Sequence, residues 1–130
     1  MSMRLKSNAD FTHIHCHTEF SSFDGLNKMI DWVLHARLMG FRSLAITDHG
    51  NIGGWMKFYQ ECRKKKDKAD KELVGADGKP LPTIKPIFGM EAYLSRNIKE
   101  KNPDGRKGNR HLLLLAKNRE GYENLCTLAQ

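Results

Sequence analysis

An α/β fold is predicted by three observations. Short apolar runs of strand length alternate with segments whose apolar residues recur at helical spacing. Gly, Pro, Asn and Asp cluster between these segments as turn signals. The resulting order is strand, helix, strand, helix, strand, strand, helix. That order suits a largely parallel sheet with right-handed crossovers.

The elements follow in turn. Residues 1–9 form a polar lead-in, and residues 10–16 read as the first strand. Asp24-Gly25 marks a turn. From Leu26 the residues Met29, Ile30, Val33, Leu34 and Leu38 keep helical spacing with one buried face. Gly40 follows, where a left-handed residue commonly ends a helix. His35 lies off the apolar stripe and is assigned to the surface. Residues 41–47 read as a buried parallel strand, which Asp48-His49-Gly50-Asn51 breaks. A second helix starts near Ile52, with Trp55, Phe58, Tyr59 and Cys62 inward, and fades into a lysine-rich segment. Residues 73–83 are loop-like. Residues 84–94 form a third strand, with Pro86 near its start. Residues 97–109 are a polar loop around Pro103-Asp104-Gly105. Residues 111–116 are apolar enough for a central strand. A last helix over residues 120–129 turns Tyr122, Leu125, Cys126 and Ala129 inward.

At 130 residues the chain is expected to be a single domain, residues 1–130. Hydrophobic residues at 39% and charged residues at 28% exclude a disordered chain. No apolar run reaches the ~18 residues of a membrane span. The start Met-Ser-Met-Arg-Leu-Lys lacks the apolar core of a secretory signal, so a cytoplasmic protein without a membrane partner is expected. Cys16, Cys62 and Cys126 are odd in number and widely spaced, which argues against a disulfide framework or a zinc knuckle. Cys16 alternates with the neighbouring histidines and is expected to be buried. The net charge of +7 concentrates in residues 63–71 and 99–110. Such blocks favour polyanions such as DNA; a solvated helix end and loop would account for them equally well.

Three of the six histidines, His13, His15 and His17, fall within five residues. They alternate inside a patterned sequence, unlike the contiguous run of a terminal tag. If the segment stays extended, all three imidazoles share one face. Neutral imidazole is the commonest metal ligand. Asp24, His49, Glu91 and His111 add further donors. His15, His17, His49 and Glu91 fall near the carboxyl ends of predicted strands, where sites gather in α/β folds. His111 precedes its apolar run. An antiparallel hairpin of residues 87–96 and 109–116 around Asn102 would set it roughly opposite Glu91. Six donors exceed what one ion takes. A cluster of two or three ions bridged by a carboxylate uses them better. Such clusters clamp the attacking and leaving oxygens of phosphoesters, so the pattern points to phosphate-ester hydrolysis. Histidine-rich ligation favours zinc, with manganese the alternative.

The run His13-Ile14-His15-Cys16-His17-Thr18-Glu19-Phe20-Ser21-Ser22-Phe23-Asp24-Gly25 resembles the first motif of the polymerase and histidinol phosphatase (PHP) domain. Leu44-Ala45-Ile46-Thr47-Asp48-His49-Gly50-Asn51 resembles its second. The stretches around Glu91 and after His111 continue the match, from about Asp10 to Gln130. Thr47-Asp48-His49-Gly50-Asn51, Phe58-Tyr59, Ile84-Lys85-Pro86-Ile87 and Gly121-Tyr122-Glu123-Asn124-Leu125 resemble the branch found at the N-terminus of bacterial DNA polymerase III alpha subunits.

The resemblance implies the N-terminal half of a distorted seven-stranded (β/α) barrel with a trinuclear metal site. The family's HxH pair maps to His15 and His17, and its motif-one acid to Asp24. Its second-motif histidine maps to His49, its bridging carboxylate to Glu91 and its next histidine to His111. Catalysis is expected at His15, His17 and Glu91. His13 stands where relatives often have Asp and is expected just behind the ligands. The implied role is DNA replication, with a 3′–5′ exonuclease or phosphoesterase site. Nucleotidyl transfer would belong to a longer polymerase parent. The family's later ligands, a Cys or His and an Asp-x-His pair, have no counterpart after His111. The chain is therefore expected to be truncated and inactive alone. Its strand edges would be covered by the remainder of the PHP or polymerase chain, by replisome subunits or by self-association. A histidinol-phosphatase-like phosphoesterase for small molecules would use the same metals. A non-catalytic structural module is the third reading.

Overall fold

The computed structural model describes residues 11–22, 24–95 and 110–130. The expected lead-in and the basic loop over residues 97–109 lie outside these residues. The order is α1 (Met29–Leu38), β1 (Ser43–Ile46), α2 (Trp55–Arg63), β2 (Lys85–Leu94), β3 (Arg110–Leu115) and α3 (Arg119–Leu128). The described residues form a mixed α/β arrangement of three helices and one three-stranded sheet, in the order β1-β2-β3. This is consistent with part of a (β/α) barrel. No helix of the described residues is long and apolar enough to cross a membrane.

The first predicted strand is not a regular strand. Residues 11–18 run beside β1, where the N–H groups of Ala45 and Thr47 donate to the carbonyls of His13 (3.0 Å) and Cys16 (2.8 Å). Three residue steps on the segment thus face two on β1. That mismatch bulges the segment and breaks the alternation expected of its side chains.

Helix α1 starts at Met29, later than the apolar pattern suggests. Its N-cap Lys28 makes no side-chain cap; the Glu19 carboxylate accepts the Met29 N–H instead. Gly40, at φ 79°, closes the helix. The Gly40 N–H donates to Arg37 O (3.1 Å) and the Phe41 N–H to Ala36 O (3.0 Å), the paired bonds of a Schellman motif. Met29, Val33 and Ala36 are buried, whereas Ile30, Leu34 and Leu38 are exposed. His35 is exposed, as expected. Arg37 is buried, and its Nε and Nη2 donate to Pro82 O (2.8 Å) and Leu81 O (2.9 Å). It straps the excursion of residues 64–83 to the helix.

β1 and β2 pair in parallel, Ser43 with Lys85 through Ile46 with Phe88. The apolar run of β1 is buried as predicted, because α1 packs on it and it lies between β2 and the 11–18 segment. On α2, Trp55, Phe58 and Cys62 enter the core, and Tyr59 does not. The Trp55 indole donates to Gly89 O on β2. β2 and β3 pair antiparallel, but Glu91 faces Leu113 and His111 faces Tyr93. This register lies two residues from the expected pairing of Glu91 with His111. β3 is the edge strand of this sheet, not a central one, and Leu112 and Leu115 are exposed on it. Of its leucines, Leu114 packs against the core. On α3, Leu125 is buried, Cys126 and Ala129 pack against the core, and Tyr122 is partly exposed.

Candidate metal centre

The carboxyl end of β1 continues as an irregular ladder. Glu91 N–H donates to Asp48 O (3.1 Å) and Gly50 N–H to Glu91 O (2.9 Å), so His49 and Glu91 form an isolated parallel bridge. The preceding residue, Asp48, is 2% exposed. It accepts the Thr18 N–H (2.6 Å), the Thr18 hydroxyl (2.8 Å) and the Ser21 hydroxyl (2.7 Å). The His49 N–H donates to Ser21 Oγ (3.1 Å). These bonds clamp the 18–25 loop onto the strand end. Gly25 is required there, because a Cβ on it would overlap Thr18 O. Asp48 reads in the sequence as one more ligand-type residue; folding spends its oxygens on the loop. The signal for this was the pair of hydroxyl residues Thr18 and Ser21 between the HxH pair and Asp24.

The clamp brings the six expected residues into one constellation. His15 Nε2 lies 2.8 Å and His17 Nε2 2.6 Å from Glu91 Oε2. His111 Nδ1 lies 2.6 Å from Oε1 of the same carboxylate. His49 Nε2 lies 2.9 Å from Asp24 Oδ2, and its Nδ1 lies 3.8 Å from Glu91 Oε2. Three triads result, each with donor atoms within 4.8 Å of one another: His15, His17 and Glu91; His17, Asp24 and His49; His49, Glu91 and His111. Glu91, His17 and His49 each belong to two.

His13 stands apart. Its ring packs edge-on against Phe11 (4.8 Å between centroids) and Phe41 (5.4 Å). The bulge turns it away from His15 and His17, so it does not stand behind the ligands. Cys16 is buried among core residues. Burial first, and the Asp48 charge second, push its thiol up to about 11, so it stays protonated and apolar.

Electrostatics set the state of Glu91. Burial pushes its carboxyl up, but hydrogen bonds from His15 and His17, the His49 charge and the His111 bond outweigh this and hold it down at about 2. It is therefore a carboxylate at any physiological pH. Two features fit a cation. The Nε2 atoms of His15 and His17 converge to 3.1 Å of each other on one oxygen. His49 Nδ1 is buried with no hydrogen-bond partner among the described residues, although it points into the cluster. Once these nitrogens give up their protons, imidazoles so arranged present lone pairs to one point, the donor set a divalent transition metal takes.

The PHP domain family model matches residues 13–130. The chain is similar to DNA polymerase III subunit alpha of Helicobacter pylori, 39% identical over 127 residues, 96% of this chain and 9% of that protein. It is similar to the protein of that name from Borreliella burgdorferi, 38% identical over 120 residues, 91% of this chain and 9% of that one. A third such relative, from Campylobacter jejuni, is 40% identical over 121 residues, again 9% of its length. The chain thus spans about a tenth of the curated relatives it matches. The matched model covers every residue of the three triads, and the chain belongs to the PHP domain family.

Proposed function

We propose that the chain is part of a seven-stranded PHP barrel of DNA polymerase III alpha type, with a divalent-metal phosphoesterase site that hydrolyses DNA ends. The observation that carries this reading is Glu91, whose two oxygens are met by His15, His17 and His111 at 2.6–2.8 Å. Bound divalent ions, zinc or manganese, would lower the pKa of water and neutralise the phosphate. His15, His17, Asp24, His49, Glu91 and His111 would hold up to three of them.

The chain's own residues do the rest. Glu91 supplies a permanent negative charge at the centre and orients three imidazoles. Side-chain exposure rises from 10% at His49 to 21% at His17, 47% at His111, 56% at His15 and 63% at Asp24. Substrate therefore enters on the side of His15, Asp24 and His111. The carboxylate of Asp24 at this mouth and that of Glu91 behind it repel a phosphodiester unless cations are present, which is the charge argument for metal dependence. Six donors shared over three triads fall below three protein ligands per ion, the number typical of catalytic zinc. We therefore propose that further ligands come from another polypeptide segment, in the replicative setting the rest of a polymerase chain or another replisome protein. A cytoplasmic setting follows from that role. The relatives' names and the +7 charge support DNA over a small phosphomonoester.

The test is nucleotide release from a 3′-labelled single strand with manganese or zinc. The chain alone should release little, and the chain mixed with the remaining barrel segment should release more. Hydrolysis of histidinol phosphate but not of DNA by the mixture would overturn the substrate. Robust cleavage by the chain alone, lost in Glu91→Ala, would show that the six donors suffice.

A further inference from the structure

Tyr93 touches the cluster without being a donor in any triad. The β2–β3 register sets it directly opposite His111, on the strand face that Glu91 also uses. Its ring is nearly parallel to the His49 imidazole, at 14° and 5.8 Å between centroids. It meets His111 edge-on, at 84° and 5.1 Å. On its other side it rests over the backbone of Gly50, where an added Cβ would lie 3.4 Å from the ring. The phenol thus fills the corner between two histidines, His49 beyond the end of β1 and His111 on β3.

Apart from Tyr93, the ring contacts of these two histidines are with histidines of the cluster itself: His17 lies 4.2 Å from His49, and His49 lies 5.0 Å from His111. His49 Nε2 contacts Asp24, an exposed carboxylate on a loop, and its Nδ1 makes no hydrogen bond among the described residues. His111 sits on the edge strand, half exposed, with Glu91 as its polar contact. An imidazole rotates readily about χ2 unless its faces are packed. Aromatic contacts in offset and edge-on geometry supply that restraint.

We propose that Tyr93 is a positioning residue, which holds the imidazoles of His49 and His111 turned toward Glu91 at the rim of the metal centre. The proposal rests on the metal-centre reading above. It assigns the ring, not the hydroxyl. Groups that orient metal-ligating histidines typically change metal affinity by about 10–100-fold when removed.

The experiment uses the 130-residue chain and its Tyr93→Phe, Tyr93→Leu and Tyr93→Ala variants. Zinc affinity is read by competition with a chromophoric chelator. Imidazole nitrogen shifts are read by NMR in the metal-free chain at alkaline pH, where they report the tautomer of each ring. Tyr93→Phe should match wild type. Tyr93→Leu, which keeps apolar bulk and guards against a folding defect, and Tyr93→Ala should bind zinc about tenfold more weakly. Both should show tautomer averaging at His49 and His111. Zinc affinity of Tyr93→Ala within about twofold of wild type would overturn the proposal. If wild type takes up no zinc, the metal reading fails on its own. The nitrogen shifts then decide: unchanged tautomers in Tyr93→Leu and Tyr93→Ala overturn the positioning role, and averaging upholds it.

Discussion

His111 reaches Glu91 along a diagonal. Its Nδ1 lies 2.6 Å from Glu91 Oε1, although Leu113 is the residue that faces Glu91 across the ladder. Diagonal neighbours on one face of an antiparallel pair stand about 7–8 Å apart, within reach of two long side chains. The contact therefore depends on the β2–β3 register, and a slip of one residue would turn His111 to the opposite face.

The overlap of the triads predicts unequal losses of metal. His15→Ala with His17→Ala strips donors from two triads and should remove most bound metal. His111→Ala removes a donor from one triad and should cost less. Elemental analysis of the purified variants checks this. Metal content unchanged in the double variant would mean that the ions sit elsewhere.

Asp48 should matter to stability more than to ligation. Asp48→Ala leaves the Thr18 N–H and the Thr18 and Ser21 hydroxyls without their acceptor at a buried site. Stranding such donors should cost about 3 kcal/mol. Urea unfolding should show a lower midpoint with an unchanged slope. Metal content should fall too, because the same bonds hold the loop that carries Asp24. An unchanged midpoint would rule out the clamp.

Acid should act through Glu91. Its carboxyl is held at about 2, below the ordinary 4.5. A depressed carboxyl stabilises the fold in full above its unfolded value and loses that contribution as pH falls toward the folded one. The metal-free chain should therefore lose stability between about pH 4.5 and pH 2, by a few kcal/mol. Glu91→Gln should flatten that part of the profile. A wild-type profile that is already flat there would contradict the electrostatics described for the cluster.

DNA binding should be weak and salt-sensitive. Lys64 pairs with Glu61 and Lys66 with Asp70, whereas Lys65, Lys68 and Lys71 make no ion pair among the described residues. Replacing those three with Gln should lower the log–log salt slope by roughly 0.9 for each phosphate contact removed. Residues 99–110 are expected to contribute similarly. Binding that does not weaken between low and moderate salt would exclude a polyanion role for these segments.

Much of the fold is legible in the chain, because helical period, strand runs and turn residues act over a few neighbours. The helices around Val33, Phe58 and Leu125, the buried strand at Leu44 to Ile46, and the stop at Gly40 all follow from such short-range signals. Element edges were less legible. α1 begins at Met29 because Glu19, ten residues away, caps it. The exposure of Leu112 and Leu115, on opposite faces of β3, also escapes local reading, since an apolar run says nothing about how much of either face is covered.

The sequence by itself determined which residues are candidate metal donors: His15, His17, Asp24, His49, Glu91 and His111 are the ones that meet in space. Only the tertiary structure decided how they meet. It turned His13 away through a three-against-two pairing with β1, committed Asp48 to the loop, and joined His17 to Glu91 across 74 residues of chain. The physical reason is range. A donor's chemistry is a property of one side chain, whereas its direction depends on the register between strands and on which buried hydrogen bonds are satisfied first.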